Sequence, residues 1–283
     1  MTSNYILLPS GIRLHYKEAG QGSLLLLLHG FPDFSYGWRH QIDAFSDSYR
    51  VVVPDMRGYN LSDKPKKVSD YRIEILAADI DQLIVGLGET QAFLVGHDWG
   101  GAVAWAMAGF YPHRIRKLAI LNMPHPREMK KALMGFNWIQ LKRSWYIFFF
   151  QLPILPERFM KNPSFFKRTY KALLANRKAY SEEDMAEYEN AFLDHSAIFG
   201  SLAYYRAAFR DLFRIAAPEI PSIQCSVLLL WGEKDPALGK ELTFNTKNYC
   251  KGGLDMHFDP TSGHFVQIDN PEWVNKHLLN YFG

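Results

Sequence analysis

Two kinds of segment follow each other along the chain. Some are short stretches that are apolar throughout or switch between apolar and polar residues, and the others have helical periodicity. Continuous apolar runs of four or five residues are typical of strands buried on both faces of a parallel sheet. We predict eight strands, at residues 5–8, 12–16, 24–28, 51–53, 92–95, 118–121, 227–231 and 254–258. Helices are predicted at 37–45, 73–87, 102–110, 181–193 and 271–282. This order indicates an α/β fold with a mostly parallel sheet covered by helices on both faces.

The alternation stops between residues 124 and 220. That segment shows helical patterns and no convincing strand, and residues 136–170 hold 11 aromatic side chains in 35 positions. This is about twice the chain average of 15%. One interpretation is the core of a helical subdomain, and the other is that part of this surface also lines an apolar pocket over the turn at residues 96–100. We therefore predict a core domain of residues 1–123 and 221–283, with a helical cap domain of residues 124–220 inserted in it.

Composition excludes several classes of protein. A hydrophobic content of 48% over 283 residues supports a sizeable core, and 22% charged residues argue against disorder. The net charge is only +3, with scattered Lys and Arg, so no nucleic-acid partner is indicated. The pair Lys142-Arg143 and the lysines at 64, 66 and 67 are interpreted as solvated faces.

Targeting and redox signals are equally sparse. Cys225 and Cys250 have no metal-binding or redox spacing. Residues 1–10 lack the pattern of a signal peptide, and the apolar block at 24–28 is too short to cross a bilayer. We expect a cytoplasmic protein without a membrane span, either a monomer or a homodimer.

Residues 95–101, Val-Gly-His-Asp-Trp-Gly-Gly, form the most informative motif. A strand, a sharp turn and a helix of small residues have the spacing of a nucleophile elbow, with Asp98 at the nucleophile position. An aspartate is ionised near pH 7 and needs no base before it attacks. A carboxylate suits displacement at saturated carbon, which leaves an ester on the enzyme. The competing interpretation of Asp98 is a plain helix N-cap.

Hydrolysis of such an ester requires a base, and His264 is the preferred candidate. It lies in a turn just after the last predicted strand, at the sheet edge where the elbow lies. Asp235 follows the preceding strand and completes the order nucleophile, acid, histidine. Glu233 is its nearest rival, and Asp255 and Asp259 are weaker ones. The backbone amides of Phe31 and Trp99 are the expected oxyanion donors.

Together these motifs resemble the α/β-hydrolase family, and specifically its epoxide hydrolase branch. The resemblance covers nearly the whole chain. It rests on His-Gly-Phe-Pro-Asp at 29–33, Asp-Met-Arg-Gly-Tyr at 55–59, the elbow, Trp-Gly-Glu-Lys-Asp at 231–235 and Gly-His at 263–264.

The resemblance implies further roles. Tyr146, in the pattern Y-x-x-x-F-Q-x-P, and Tyr205, which precedes an Arg, match the two cap tyrosines that donate hydrogen bonds to the epoxide oxygen. The substrate-binding set would be Phe31, Trp99, Tyr146, Tyr205 and Phe265. A small apolar epoxide and water would react to a vicinal diol without a metal or cofactor. The chain departs from the family at Ile154 and Asn60, where Gly is common.

Two alternatives use the same fold. A haloalkane dehalogenase shares the nucleophile, acid and histidine, but usually carries Asn at the position of Phe31 and lacks the tyrosine pair. A non-catalytic receptor for a small molecule is the other alternative, and the presence of every catalytic group argues against it.

Overall fold

The computed structural model describes residues 1–192, 195–215 and 217–283. In these ranges one sheet of eight strands forms, at the eight predicted places. The strands are β1 Thr2–Leu7, β2 Arg13–Ala19, β3 Leu24–Leu28, β4 Arg50–Pro54, β5 Ala92–His97, β6 Ile115–Leu121, β7 Val227–Gly232 and β8 Leu254–Asp259.

The sheet is mostly parallel, as predicted. Its order is β1-β2-β4-β3-β5-β6-β7-β8. The pairs β1–β2 and β2–β4 are antiparallel, and the remaining neighbours are parallel. The carboxyl ends of the parallel strands therefore meet at one edge, where the loops carry the candidate site.

Helices cover both faces of this sheet. Around it lie α1 Arg39–Phe45, α2 Ile73–Gly86, α3 Trp99–Phe110, α11 Val266–Asp269 and α12 Pro271–Phe282. Successive residues of β3 point to opposite faces: Leu26 packs in a cluster with Trp105 of α3, and Leu25 packs in another with Leu278 of α12. A strand buried on both faces needs no polar residues, which explains its five consecutive leucines.

Seven helices lie between β6 and β7 in the described part of the chain. They are α4 Pro126–Met134, α5 Trp138–Arg143, α6 Trp145–Phe149, α7 Leu155–Met160, α8 Pro163–Leu173, α9 Glu182–Phe192 and α10 His195–Asp211. The described residues of 124–220 contain no strand of the sheet. The cap boundaries at 124 and 220 stay a prediction.

Ser181 and Asp184 cap the start of α9 with a reciprocal pair of hydrogen bonds. The Asp184 amide donates to Ser181 Oγ at 3.0 Å, and the Ser181 amide donates to Asp184 Oδ2 at 2.8 Å. These reciprocal bonds satisfy two backbone donors. The predicted end at Leu193 lies outside the described residues.

Buried hydrogen bonds join these helices to the loops at the carboxyl edge of the sheet. Tyr188 Oη of α9 donates to Asp33 Oδ1 at 2.9 Å, and Tyr204 Oη of α10 donates to the Arg57 carbonyl at 2.8 Å. Burial raises the pKa of Asp33 to about 7, although the Phe34 amide and the Tyr188 hydroxyl oppose the rise. The helices between β6 and β7 therefore cover the sheet edge where the candidate site lies.

Both departures from the family pattern adopt the backbone region that favours glycine. Asn60 has φ 36° and Ile154 has φ 67°. Asn60 also donates from Nδ2 to Asp55 Oδ2 at 2.8 Å, and asparagine tolerates positive φ better than most residues. Ile154 is β-branched and 64% exposed, so its conformation is strained.

Within the described ranges, none of the helices combines the length and apolarity needed to cross a bilayer.

Candidate active site

The elbow between β5 and α3 holds Asp98 in a strained conformation. Its backbone has φ 48° and ψ −121°, a region that non-glycine residues adopt rarely and at a cost. β5 and α3 approach so closely that a Cβ at Gly96 would collide with the Gly100 carbonyl oxygen. This is the geometry of a nucleophile elbow.

Asp98 does not cap the helix that follows it. No side-chain capping bond is formed at the start of α3, a helix that lies wholly within the described residues. Asp98 Oδ1 instead accepts a hydrogen bond from the Phe31 amide at 2.8 Å. A Cβ at Gly30 would collide with the Asp98 side chain, so the loop after β3 fits closely around the carboxylate. The N-cap interpretation is therefore wrong.

His264 lies between two carboxylates. Its Nδ1 is 2.8 Å from Asp235 Oδ2, and its Nε2 is 3.4 Å from Asp98 Oδ2. Burial works to lower the pKa of His264, but the charges of Asp235 and Asp98 raise it to about 10. Burial likewise opposes ionisation of Asp235, and the His264 imidazolium holds the pKa of this carboxyl below its ordinary value.

The remaining bonds of Asp235 fix its orientation. Its Oδ1 accepts from the amides of Ala237 at 2.8 Å and Leu238 at 3.0 Å. Its Oδ2 accepts from Asn122 Nδ2 at 2.8 Å, and Asn122 Oδ1 accepts from the Gly232 amide at 2.9 Å. Asn122 thus ties the end of β6 to the loop that carries Asp235.

Sequence reasoning missed Asn122. It directly follows β6 and has φ 41°, which asparagine adopts more easily than most residues. The sequence signal that could have identified Asn122 is its position directly after a buried strand, at the same sheet edge as Asp98 and Asp235.

The rival acids are engaged elsewhere. Glu233 pairs with Lys240 at 2.9 Å, and Asp255 pairs with the half-exposed His257 at 2.9 Å. Asp259 accepts from the Thr261 amide at 2.9 Å and from Asn270 Nδ2 at 2.9 Å. The contact with His264 therefore belongs to Asp235.

A cavity of about 250 Å³ opens above Asp98. Asp98, Trp99, Tyr146 and Tyr205 all line it, together with apolar side chains of α4, α6 and α10. The rings of Tyr146 and Tyr205 are 5.8 Å apart. Burial, reinforced by the charge of Asp98, raises the pKa of both tyrosines well above 10. Both hydroxyls therefore stay protonated and able to donate at neutral pH.

Arg206 fixes the relative position of the two tyrosines. It lies next to Tyr205 and donates from Nε to the Phe150 carbonyl at 2.9 Å. Its Nη1 also pairs with Glu157 of α7 at 2.6 Å. The buried guanidinium thus connects α10, which carries Tyr205, to the end of α6, which carries Tyr146.

Two predicted substrate-binding residues lie behind the cavity. Phe31 packs edge-on against Tyr205, with ring centroids 5.5 Å apart. Phe265 is fully buried against Tyr170 at 4.9 Å and His264 at 5.3 Å. Neither is among the described residues that line the cavity. The structure therefore gathers Asp98, Trp99, Tyr146 and Tyr205 around the cavity, with His264 and Asp235 behind Asp98.

Across the described residues, no group of three or more His, Cys, Asp or Glu side chains is placed to hold a metal ion.

Comparison with known proteins identifies the family to which this fold and this arrangement of side chains belong. The model of the alpha/beta hydrolase fold family matches residues 23–271. Epoxide hydrolase 1 of Caenorhabditis elegans is 37% identical over 99% of this chain and 70% of that protein. The chain belongs to the epoxide hydrolase branch of the α/β-hydrolase family. The fold class predicted from the sequence is confirmed.

Other members of this family are equally similar. The AB hydrolase superfamily protein YfhM of Bacillus subtilis (strain 168) is 39% identical, over 96% of this chain and 95% of that protein. The crystal structure of the Bacillus megaterium epoxide hydrolase with an inhibitor superimposes with a TM-score of 0.90 at 34% identity, over 99% of both chains.

Proposed function

We propose that this α/β-hydrolase opens an epoxide to a vicinal diol through a covalent ester on Asp98. The observation that carries the proposal is the meeting of three groups at one cavity. A carboxylate at a nucleophile elbow faces the same space as two protonated tyrosines. The relatives named epoxide hydrolases add support.

The first step forms the ester. An Asp98 oxygen attacks a ring carbon, the carbon–oxygen bond of the epoxide breaks, and negative charge develops on the ring oxygen. Tyr146 and Tyr205 donate hydrogen bonds to that oxygen and lower the barrier. The alkoxide takes one proton from a tyrosine hydroxyl, and the proton that His264 then releases restores that tyrosine.

The second step hydrolyses the ester. Esterification removes the charge of Asp98, one of the two charges that raise the pKa of His264, so His264 can release its proton and act as a base. It then activates a water that attacks the ester carbonyl. The amides of Phe31 and Trp99 hold the oxyanion, and Asp235 stabilises the imidazolium. When the oxyanion collapses, the bond between the acyl carbon and the substrate oxygen breaks, and that oxygen takes the second proton of the water. The diol leaves, with Asp98 ionised and His264 protonated again. This scheme uses no metal or cofactor.

A haloalkane dehalogenase is the second candidate, because Asp98, His264 and Asp235 suit both reactions. Phe31 argues against it, since its side chain has no donor for a leaving halide. The tyrosine pair also favours ring opening, which leaves an oxygen anion.

The substrate we infer is a small apolar epoxide. Most of the side chains that line the cavity are apolar or aromatic. We also propose that the protein works in the cytoplasm as a monomer or homodimer. The free Cys225 and Cys250 thiols agree with a reducing compartment.

The test assays an aryl epoxide and a primary haloalkane in parallel, measuring diol and halide. We expect diol without halide. Asp98→Asn should form no product, and His264→Gln should accumulate an adduct whose intact mass equals protein plus epoxide. Halide without diol would favour the dehalogenase. Turnover by His264→Gln at the normal rate would show that His264 is not the base.

A further inference from the structure

The outer face of helices α4 to α7 is unusually apolar. Of the 19 large hydrophobic side chains that are exposed in the described residues, ten lie between residues 134 and 159. We call the exposed side chains of this segment the outer face. Its most prominent members are Phe136, Trp138, Ile139, Trp145, Phe148 and Phe159, each between 44% and 70% exposed. Ring contacts join Phe136 to Trp138, and join Trp145 through Phe149 to Phe159. Connected apolar exposure of this kind marks an interaction surface.

The same segment is strongly basic. Residues 126–161 hold seven Lys and Arg but two Glu, a formal net charge of +5, against +3 for the whole chain. Both acids, Glu128 and Glu157, are buried and paired, with Lys131 at 2.8 Å and Arg206 at 2.6 Å. Lys142 and Lys161 are exposed. Arg127 and Arg143 pair with Glu219 and Glu241, which lie outside the segment. The positive charge that faces outward therefore comes from the exposed Lys130, Lys142, Arg158 and Lys161.

These properties select one kind of partner. Two outer faces of like charge would repel, which disfavours a second copy of this chain. Aromatic and aliphatic side chains flanked by Lys and Arg suit the headgroup region of an anionic bilayer, where tryptophan is enriched and basic side chains meet lipid phosphates. We propose that the outer face docks this hydrolase on the surface of an anionic membrane.

The outer face is continuous with the elements that line the cavity. In α6, Tyr146 and Ile147 line the cavity while Trp145 and Phe148 are exposed on the other side. Met129 and Leu133 of α4 line the cavity as well. Docking would bring the cavity close to apolar molecules dissolved in the bilayer. That delivery of an epoxide rests on the proposed function, whereas docking itself does not.

Sedimentation with vesicles tests the docking. The full chain is mixed with phosphatidylcholine vesicles that contain or lack phosphatidylserine. We expect it to sediment with the anionic vesicles only, and salt to release it. Each basic residue near an anionic surface strengthens binding about 5-fold, so Lys142→Ser with Lys161→Ser should weaken it about 25-fold. Trp138→Ser should weaken binding in the same assay.

Matched controls use exposed residues elsewhere. Leu7→Ser removes a 70% exposed apolar side chain from β1, the edge strand of the sheet, and Lys66→Ser with Lys276→Ser removes two exposed charges. Both should bind like the parent. Equal sedimentation with the two vesicle types, or equal losses in the controls, would overturn the proposal. So would light scattering that shows dimers dissociated by Trp138→Ser without vesicle binding.

Because binding is read without catalysis, its failure would leave the proposed reaction untouched. Conversely, a protein that binds anionic vesicles but opens no epoxide would refute the reaction and keep the docking.

Discussion

Asp98 has two electrostatic roles in the resting site. It is the proposed nucleophile, and its charge also helps to hold His264 in the protonated form. Any change that neutralises Asp98 should therefore alter the protonation of its neighbour.

This coupling predicts a pH-dependent stability. The pKa of His264 rises from an ordinary 6.5 to about 10 on folding. Its stabilising contribution is complete below pH 6.5 and is lost as the pH rises through about 10. We expect the free energy of unfolding, measured in urea, to fall from pH 7 to 10. In Asp98→Asn the folded-state pKa of His264 is lower, so the fall should be smaller and end at a lower pH. Asp255→Asn, at the more exposed pair with His257, should follow the parent. Identical profiles for parent and Asp98→Asn would contradict the coupling.

Asn122 is predicted to act through Asp235. Asn122→Gly keeps the positive φ while removing the bonds to Asp235 and the Gly232 amide. A lost hydrogen bond to a charged group is worth about 1.5–3 kcal/mol, so ester hydrolysis should slow about 10–100-fold. Ester formation should change little, and stopped-flow kinetics separates the two steps. Asn245→Ala, which loses a bond to Glu128 at 3.1 Å, is the control. Equal slowing of both steps would indicate general damage instead.

At the scale of single residues, the positions of the proposed reacting groups were easier to predict from the sequence than the residues that support them. Asp98 and His264 follow from local motifs, because the elbow and the turn after the last strand are contiguous in the chain. The bond between Asn122 and Asp235 joins residues 113 positions apart. It depends on the neighbouring positions of β6 and β7, which no local pattern contains.

At the scale of elements, buried strands were the easiest to predict and element ends the hardest. The run of leucines in β3 predicts its bounds without error, because both faces are covered. β1 begins at Thr2 rather than Tyr5, since polar residues at its start pair with β2, Thr2 opposite Glu18. α3 begins at Trp99 rather than Ala102, because two glycines obscure its first turn.

Ile154 gives a prediction about the connection between α6 and α7. A non-glycine residue at positive φ costs about 1–3 kcal/mol. Glycine removes this strain, but part of the benefit is lost because glycine has more conformational entropy in the unfolded chain. Ile154→Gly should therefore stabilise the protein by about 0.5–1 kcal/mol in urea unfolding. Ile139→Gly, at a similarly exposed site inside α5, should destabilise by about 0.5–1 kcal/mol. A loss of stability at both sites would mean that the strain at Ile154 is negligible.

At the scale of the whole molecule, buried polar contacts hold the sheet and the covering helices together. The bond from Tyr188 to Asp33 is fully enclosed, so Tyr188→Phe should lower the free energy of unfolding by about 1–2 kcal/mol. Tyr5→Phe, at a site that is 50% exposed, should leave it unchanged. Similar effects of the two substitutions on the melting temperature would show that this bond adds nothing.

The chain leaves the sheet once, after β6, forms helices α4 to α10, and returns to the sheet once, before β7. Asp98, Asp235 and His264 all lie outside this excursion, while Tyr146 and Tyr205 lie within it. Exchange of this one contiguous segment could therefore replace the helices that cover the cavity and keep Asp98, Asp235 and His264. Substrate preference and activation of the ring oxygen can in this way be inherited separately from nucleophilic attack and ester hydrolysis, and recombination can vary one pair while selection preserves the other.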